Sequence, residues 1–236
     1  MFVHIDTKTG DDVVSIAVTP KMTAAELQRK ALAKAEYKGS TSHFVLHEVI
    51  LSGQMERPIH YRELIYDVTL KWWKWPEEDR RDTYLLLKRN AFLEEALPCA
   101  IPPLSVFGEI LYGENSAKSA KSSTPFKKYP YSMSNARITR SRELKNGQSA
   151  EVESFEIERI IWYFGAETKR HAPYNFNVTF IMKEEPVERS KERPFFGRTL
   201  SFGSRELFIK WVAAMLVAEH NNDIIHPETL LDIEED

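Results

Sequence analysis

Cysteine is almost absent from this chain: Cys99 is its single example in 236 residues. An internal disulfide framework is therefore excluded, and a reducing compartment is the expected environment. Long apolar runs are missing as well; none approaches the roughly 18 residues that a membrane-crossing helix needs. The N-terminal stretch lacks a basic segment followed by an apolar one, so no secretory signal is expected there. Seven histidines are scattered without the C-x-x-C or H-x-x-x-H spacing of a zinc site. His43 and His47 stand four apart, but in a stretch that reads as a strand, where that spacing brings no ligand pair together. Nor is there a phosphate-cradling loop, a nucleophile elbow or a supported pair of carboxylates. These absences leave no cofactor, no metal and no catalytic residue to assign. They point to a binding protein rather than an enzyme.

What is present is charge, unevenly spread. The formal net charge is −3, yet residues 114–205 carry 17 bases against 11 acids, while 206–236 carry one base against eight acids. The densest block, 116–145, holds Lys118, Lys121, Lys127, Lys128, Arg137, Arg140, Arg142 and Lys145 with only Glu143 opposing. Such a block attracts anions: a phosphoinositide headgroup, an acidic membrane surface or nucleic acid. Nucleic acid ranks last, because no platform of stacking aromatics accompanies the bases. A solvated loop with no ligand is the plain alternative.

The first ninety residues have their own logic. Phe2–Asp6 and Val13–Val18 read as a strand pair joined by turn residues, and Pro20 ends the second. Thr23 with Glu26 three residues later forms a capping box for a helix from Ala24 to about Ala35. Phe44–Ile50 and Tyr84–Lys88 are further strands, with a turn at Gly53. Strand, strand, helix, strand and closing strand is the ubiquitin-like order. A proline-marked connector follows, with a short helix at Phe92–Leu97. Beyond it, strands are expected at Gly108–Tyr112, at Phe126–Met133 interrupted by Pro130, at Ala136–Thr139, along Phe155–Phe164, at Asn177–Met182 and at Arg198–Phe202. The last element is an amphipathic helix, Ser204–His220, capped by Ser204 and striped with Leu207, Phe208, Trp211, Val212, Met215 and Leu216. A lone helix cannot keep that stripe in water, so it must close an open sheet.

These residues carry a family resemblance. Glu56-Arg57-Pro58, Leu64–Leu70, Trp75-Pro76-Glu77 and Tyr84–Lys88 resemble a Ras-associating domain, most nearly that of the ARAP family of Arf-GAP and Rho-GAP proteins with ankyrin repeats and PH domains. Ile160–Gly165 with Lys169-Arg170, Pro173 and Phe176–Phe180 is similar to the middle of the PH domain that follows it there, and Trp211 matches the helix tryptophan of PH domains. The tandem order also occurs in Grb-type adaptors and in the RIAM/lamellipodin group. The expected fold is therefore α+β: a ubiquitin-like β-grasp domain (1–90), a linker (91–105), a PH-type seven-stranded half-closed β-barrel capped by a C-terminal helix (106–222), and an acidic tail (223–236).

The resemblance implies partners. The first domain is expected to bind a Ras/Rap-family GTPase in its GTP form by extending a sheet edge, with Lys8, Lys21, Arg29, Lys30 and Lys34 as the available cations and Asp11 and Asp12 opposing them. The second is expected to bind a phosphoinositide or other anionic lipid through Lys118, Lys121, Lys127, Lys128 and Arg137. Arg140 and Lys145 are expected to add only to the general field. Lys127-Lys128 supplies part of the familiar headgroup pattern, but no x-Arg pair follows it. Together these expectations describe a cytoplasmic protein peripheral to the plasma membrane, a part of a larger GTPase-activating protein. A protein-docking scaffold without lipid binding is the alternative. Trp72, Trp73 and Trp75 are expected in a core or interface. Arg57 is expected to make a structural hydrogen bond. The tail is either a solvated terminus or a cover for the basic block.

Overall fold

The computed structural model describes residues 1–7, 10–38, 44–89, 91–101, 104–143, 149–185, 187, 189–221 and 223–224. The chain forms two compact units: Met1–Glu94 together with Asp223–Asp236, and Glu95–Asn222. Lys8, His43 and Lys145 lie outside the described residues.

The first unit is a mixed sheet crossed by a helix. Its strands are β1 (Phe2–Thr7), β2 (Gly10–Ser15), β3 (Phe44–Ile50), β4 (Met55–Pro58) and β5 (Tyr84–Arg89), in the order β2-β1-β5-β3-β4. β1 and β5 run parallel; the other pairs are antiparallel. Helix α1 (Ala24–Lys34) starts where both halves of the Thr23–Glu26 capping box are made, and it buries Ala24, Leu27, Ala31 and Leu32. Val3, Ile5, Val14, Leu46, Leu85 and Leu87 meet that face from the sheet. Two helices and one strand lie outside the expected list: α2 (Ile65–Trp72), α3 (Glu77–Arg80) and the four-residue β4. α2 turns Ile65 and Val68 into the core, and Trp72 packs against the same cluster. Trp75 is buried as expected, whereas Trp73 is 74% exposed.

Beneath α2 lies a buried charge cluster. Arg57 donates from Nε to Glu48 Oε2 at 2.5 Å and grips Glu63 with two bonds of 3.0 Å, while Trp72 donates to the second oxygen of Glu48 at 2.5 Å. This is the structural role expected of Arg57, made with two carboxylates at once. Burial disfavours the charged form of Glu63, yet the Arg57 guanidinium and the His60 amide overcome it and hold the carboxyl down at about 2. A depressed native value means that the unfolded chain takes up the proton first as acid is added. The resulting stabilisation is complete above about pH 4.5 and disappears as the pH falls towards about 2. A loss of roughly 1–2 kcal/mol over that window is expected after solvent screening. Acid unfolding followed with wild type and Glu63→Gln measures it; the variant should show the weaker pH dependence.

Helix α4 (Ala91–Ala96) and a short 3-10 turn, Leu97–Cys99, occupy the expected connector. The second unit then builds a seven-stranded antiparallel sheet from β6 (Val106–Gly113), β7 (Phe126–Ser134), β8 (Arg137–Glu143), β9 (Ser149–Glu156), β10 (Ile160–Gly165), β11 (Phe176–Met182) and β12 (Arg198–Phe202), in the order β10-β11-β12-β6-β7-β8-β9. The one-turn α5 (Ala117–Ala120) sits between β6 and β7, and α6 (Arg205–His220) follows β12. Ser204 caps α6 by accepting from the Leu207 amide. Phe208 meets the rings of Phe164, Phe176 and Phe202 at 5.6–5.9 Å, and Trp211 is fully buried beside Phe202. Each unit is thus the expected fold: a ubiquitin-like β-grasp, and a PH-type half-closed barrel capped by its C-terminal helix.

Two expected strands are corrected. Phe155–Phe164 is not continuous, because Ile157–Arg159 is a 3-10 turn between β9 and β10. Pro130 does not interrupt β7: it faces Glu109 of β6, and β8 joins β7 only from Tyr131 onward. The missing N–H therefore falls where one side of β7 has no ladder, as an edge allows.

Candidate functional site

The first candidate surface is the outer side of β2, which ends the strand order of its sheet and pairs with no further strand among the described residues. Its geometry follows from one pair. Met1 and Ile16 exchange both backbone hydrogen bonds, each 2.8 Å. In an antiparallel ladder, directly opposed residues alternate between bonded and non-bonded pairs. Val14, opposite Val3, and Asp12, opposite Ile5, therefore turn their backbone groups toward β1, whereas Asp11, Val13 and Ser15 turn theirs outward. Lys34 Nζ confirms the phase, donating to the outward Ser15 carbonyl at 2.6 Å.

The predicted cations fall into three groups around this edge. Lys30 and Lys34 are exposed one turn apart on α1, and Lys34 touches the edge itself. Arg29 is exposed on the adjoining face, and Lys21 is exposed in the turn before the helix, at its far end. Lys8 is outside the described residues. The acids are real: Asp6 and Asp12 are exposed near the hairpin, so the edge runs from acidic at that end to basic at Ser15.

The second candidate surface is the β6–β7–β8 face of the barrel at the end where β7 begins. Register puts Tyr112 opposite Lys127 and Tyr131 opposite Arg140. Strand alternation then places Lys127, Tyr129 and Tyr131 on one face with Arg140 and Arg142 of β8. That face is interior, since Ile110, Tyr131, Met133 and Ile138 on it are buried. The Arg140 guanidinium lies 4.7 Å from the Tyr129 ring centroid and 5.0 Å from that of Tyr112, and pairs with Glu153 at 3.0 Å. Burial pushes the Tyr112 and Tyr131 hydroxyls far above their ordinary range, so both stay neutral donors. Tyr131 Oη and Arg140 Nε are buried with no hydrogen-bond partner among the described residues.

Lys118 and Lys121 are exposed on the β6–β7 loop, at the Lys127 end. That loop is held at its root. Arg170, buried and thereby lowered to about 10, donates to the carbonyls of Gly113, Glu114 and Gly197. Asn115 exchanges two hydrogen bonds with the Phe195 backbone, tying the β6–β7 loop to the β11–β12 loop.

Of the five predicted bases, Lys128 and Arg137 do not join the other three. Lys128 points to the opposite face from its neighbour Lys127, as alternation requires, and pairs with Glu109. Arg137 follows the Asn135–Ala136 turn, whose two positive φ angles of 50° and 56° close the β7–β8 hairpin. It therefore sits at the far end of β7, about 23 Å of strand from Lys127, paired with Glu156. Arg140 and Arg142 share the inner face with Lys127, Arg140 opposite Tyr131 about 13 Å along β7 from it. The signal was present in the sequence as an Arg-x-Arg pair, on the third strand rather than the second.

Comparison with known proteins agrees with these folds. The family model of the Ras association (RalGDS/AF-6) domain matches residues 2–92. The Mus musculus protein "Arf-GAP with Rho-GAP domain, ANK repeat and PH domain-containing protein 2" is 23% identical over 228 residues, covering 95% of this chain and 12% of that protein. Its Homo sapiens counterpart is 22% identical over 230 residues, with the same coverage. The Mus musculus protein 3 of that name is 32% identical over 77 residues, 33% of this chain and 5% of that protein. The chain thus spans a small part of the curated relatives it matches. Among solved structures, the coiled-coil, RA and PH domains of Lamellipodin match with a TM-score of 0.67 at 13% identity, covering 100% of this chain and 90% of that one. The chain resembles the tandem RA–PH region of the ARAP proteins.

Proposed function

We propose that this region is a non-catalytic attachment module that reads two signals, a GTP-loaded Ras/Rap-type GTPase and an anionic phosphoinositide membrane. The observation that carries the reading is the outer β2 edge, unpaired by any described strand, with outward backbone groups at Val13 and Ser15 and the Lys30–Lys34 pair beside it, Lys34 bonded to the Ser15 carbonyl. An added strand gains main-chain hydrogen bonds there, while the lysines attract an acidic effector loop and speed its arrival. Linking a GTPase site to a lipid site converts two weak attachments into one avid one. Within a larger protein carrying a GTPase-activating domain, the module would hold that domain at the cytoplasmic face of the plasma membrane. Binding to GTP-loaded and GDP-loaded members of a GTPase panel tests the first half; Lys30→Glu with Lys34→Glu should slow association and flatten its salt dependence.

For the second half, Lys127 and Arg142 are the exposed bases of the interior face, with Lys118 and Lys121 on the loop at the same end. Each base near an anionic leaflet contributes about 1 kcal/mol, so Lys127→Ala with Arg142→Ala should weaken binding to phosphoinositide liposomes roughly 30-fold. Lys128→Ala and Arg137→Ala should change it by less than about threefold. Equal losses from both pairs in a sedimentation assay would point to a diffuse field rather than a site. The alternative, a docking scaffold without specific lipid binding, draws on Glu153, Glu109 and Glu156, which neutralise Arg140, Lys128 and Arg137.

A further inference from the structure

Thr124 stands exposed at the end of the β6–β7 loop, just before β7. Its amide donates to Ser122 Oγ at 3.2 Å, whereas its own hydroxyl has no hydrogen bond among the described residues. Other hydroxyls of the loop are engaged in holding it. Ser116 caps α5, and the buried Ser119 donates to the Pro125 carbonyl at 3.0 Å. Ser123 is exposed as well, but a threonine and not a proline follows it.

The chain around Thr124 is presented to other proteins. Residues 122–125 belong to no helix or strand. From Phe126 the chain runs on as β7 with β6 on one side only, because β8 joins at Tyr131. Phe126 is buried under the Arg170 guanidinium, 5.7 Å from its ring centroid, and fixes this end of the loop. A strand with one open side is the form in which a segment is taken into another protein's groove. Pro125, directly after the acceptor, has no N–H to leave unpaired in such a groove. Lys127, the third residue beyond Thr124, is exposed and offers a charge-assisted contact. Proline next and a base third is the pattern that proline-directed kinases select.

We propose that Thr124 is a phosphorylation site for a proline-directed kinase, and that its phosphate quenches the positive charge of the β6–β7 loop. The γ-phosphoryl group of ATP passes to Thr124 Oγ. Its bond to the β-phosphate oxygen breaks, ADP leaves, and the hydroxyl proton goes to the kinase's base. The product carries about −1.5 to −2 charges at pH 7. Lys121 and Lys127 are each three residues from Thr124, at most about 11 Å of chain. Lys118 stands on α5, one turn before Lys121. These ammonium groups then face a phosphate on their own chain in place of one on a lipid. The effect on lipid rests on the membrane reading given above; the modification itself does not.

The test treats the full chain with a purified proline-directed kinase and Mg-ATP and maps the product by mass spectrometry. One phosphate at Thr124 is expected. It should be absent from Thr124→Val, form at least about tenfold more slowly in Pro125→Ala, and form normally in Ser123→Ala. Incorporation at Ser123 instead, or none at Thr124, would overturn the site. Phosphorus NMR then follows the second ionisation of the phosphothreonine. It should lie below its ordinary value of about 6 and rise again in Lys118→Ala/Lys121→Ala/Lys127→Ala. A value that the triple change leaves unmoved would overturn the quenching, whatever the membrane does. In liposome sedimentation the phosphorylated chain should bind phosphoinositide vesicles roughly 30-fold more weakly, the loss of about two surface charges. Equal binding by the two forms would overturn the effect on lipid. An unmodified chain that ignores the vesicles would remove that effect together with the membrane reading, leaving the site and its quenching to stand on the first two measurements.

Discussion

Replacing Arg57 by alanine should cost the first unit about 3–5 kcal/mol, the penalty for removing one partner from a buried ion pair. Arg57 bonds both Glu48, whose side chain is 1% exposed, and Glu63, to which Lys71 adds a smaller attraction. Its loss leaves Glu48 with the Trp72 indole as its hydrogen-bond donor at 2.5 Å. That donor cannot neutralise a charge. Since a domain of this kind holds only about 5–15 kcal/mol in total, much of the β3–β4–α2 corner should open. Hydrogen exchange on the full chain should show protection lost in β3, β4 and α2, and urea unfolding should show the first unit melting earlier. A double change, Arg57→Met with Glu48→Gln, removes both charges and should recover most of the loss. Recovery absent from the double variant would mean that the cluster matters for shape and not for charge.

The second large effect concerns the outward side of β2. Val13→Pro removes an N–H that points away from β1, so the internal ladder loses nothing and the edge position tolerates the ring. An incoming strand loses a main-chain hydrogen bond at that point and meets the proline ring. A loss of at least about 2 kcal/mol, or roughly 30-fold in affinity for a GTP-loaded partner, is expected. Val14→Pro is the contrasting change: it removes an inward N–H and the side chain of a residue that is 8% exposed, so the fold itself should weaken. Binding lost in Val13→Pro with thermal unfolding unchanged, and both lost in Val14→Pro, would assign the edge to recognition. Unchanged binding in Val13→Pro would move the partner to another surface.

What the sequence disclosed was local. The Thr23–Glu26 box and the Ser204 cap were legible because each is a short pattern whose hydrogen bonds close within one turn. The strands Phe44–Ile50 and Arg198–Phe202 were legible from apolar content bounded by breakers. α2 stayed hidden because it has only eight residues and starts at Leu64 with no side-chain cap to mark its beginning. β4 has only four residues, and one of them, Arg57, is a buried charge that no apolar pattern reveals. The run Phe155–Phe164 misled for another reason. Ile157 and Ile160 are both fully buried three residues apart, so a 3-10 turn rephases the alternation without leaving a gap in it.

The barrel face shows the same limit at the level of a site. A cluster of bases in the sequence predicts a field, but which of them share a face depends on register. Lys127 and Lys128 are neighbours that part company across the sheet, and Arg137 is carried to the far end by a two-residue turn. Arg140 and Arg142, distant in sequence from Lys127, share its face of the sheet through the Tyr131–Arg140 pairing. The β2 edge was legible only as a family expectation; its phase required the Met1–Ile16 exchange.

The proposed GTPase recognition depends most heavily on that edge, and calorimetry against one GTPase in two nucleotide states examines it directly. The full chain should bind the GTP-loaded form, more weakly as salt rises, and should show no comparable affinity for the GDP-loaded form; Val13→Pro should abolish the difference. Equal affinity for both forms, or a Val13→Pro chain that binds like the parent, would contradict it.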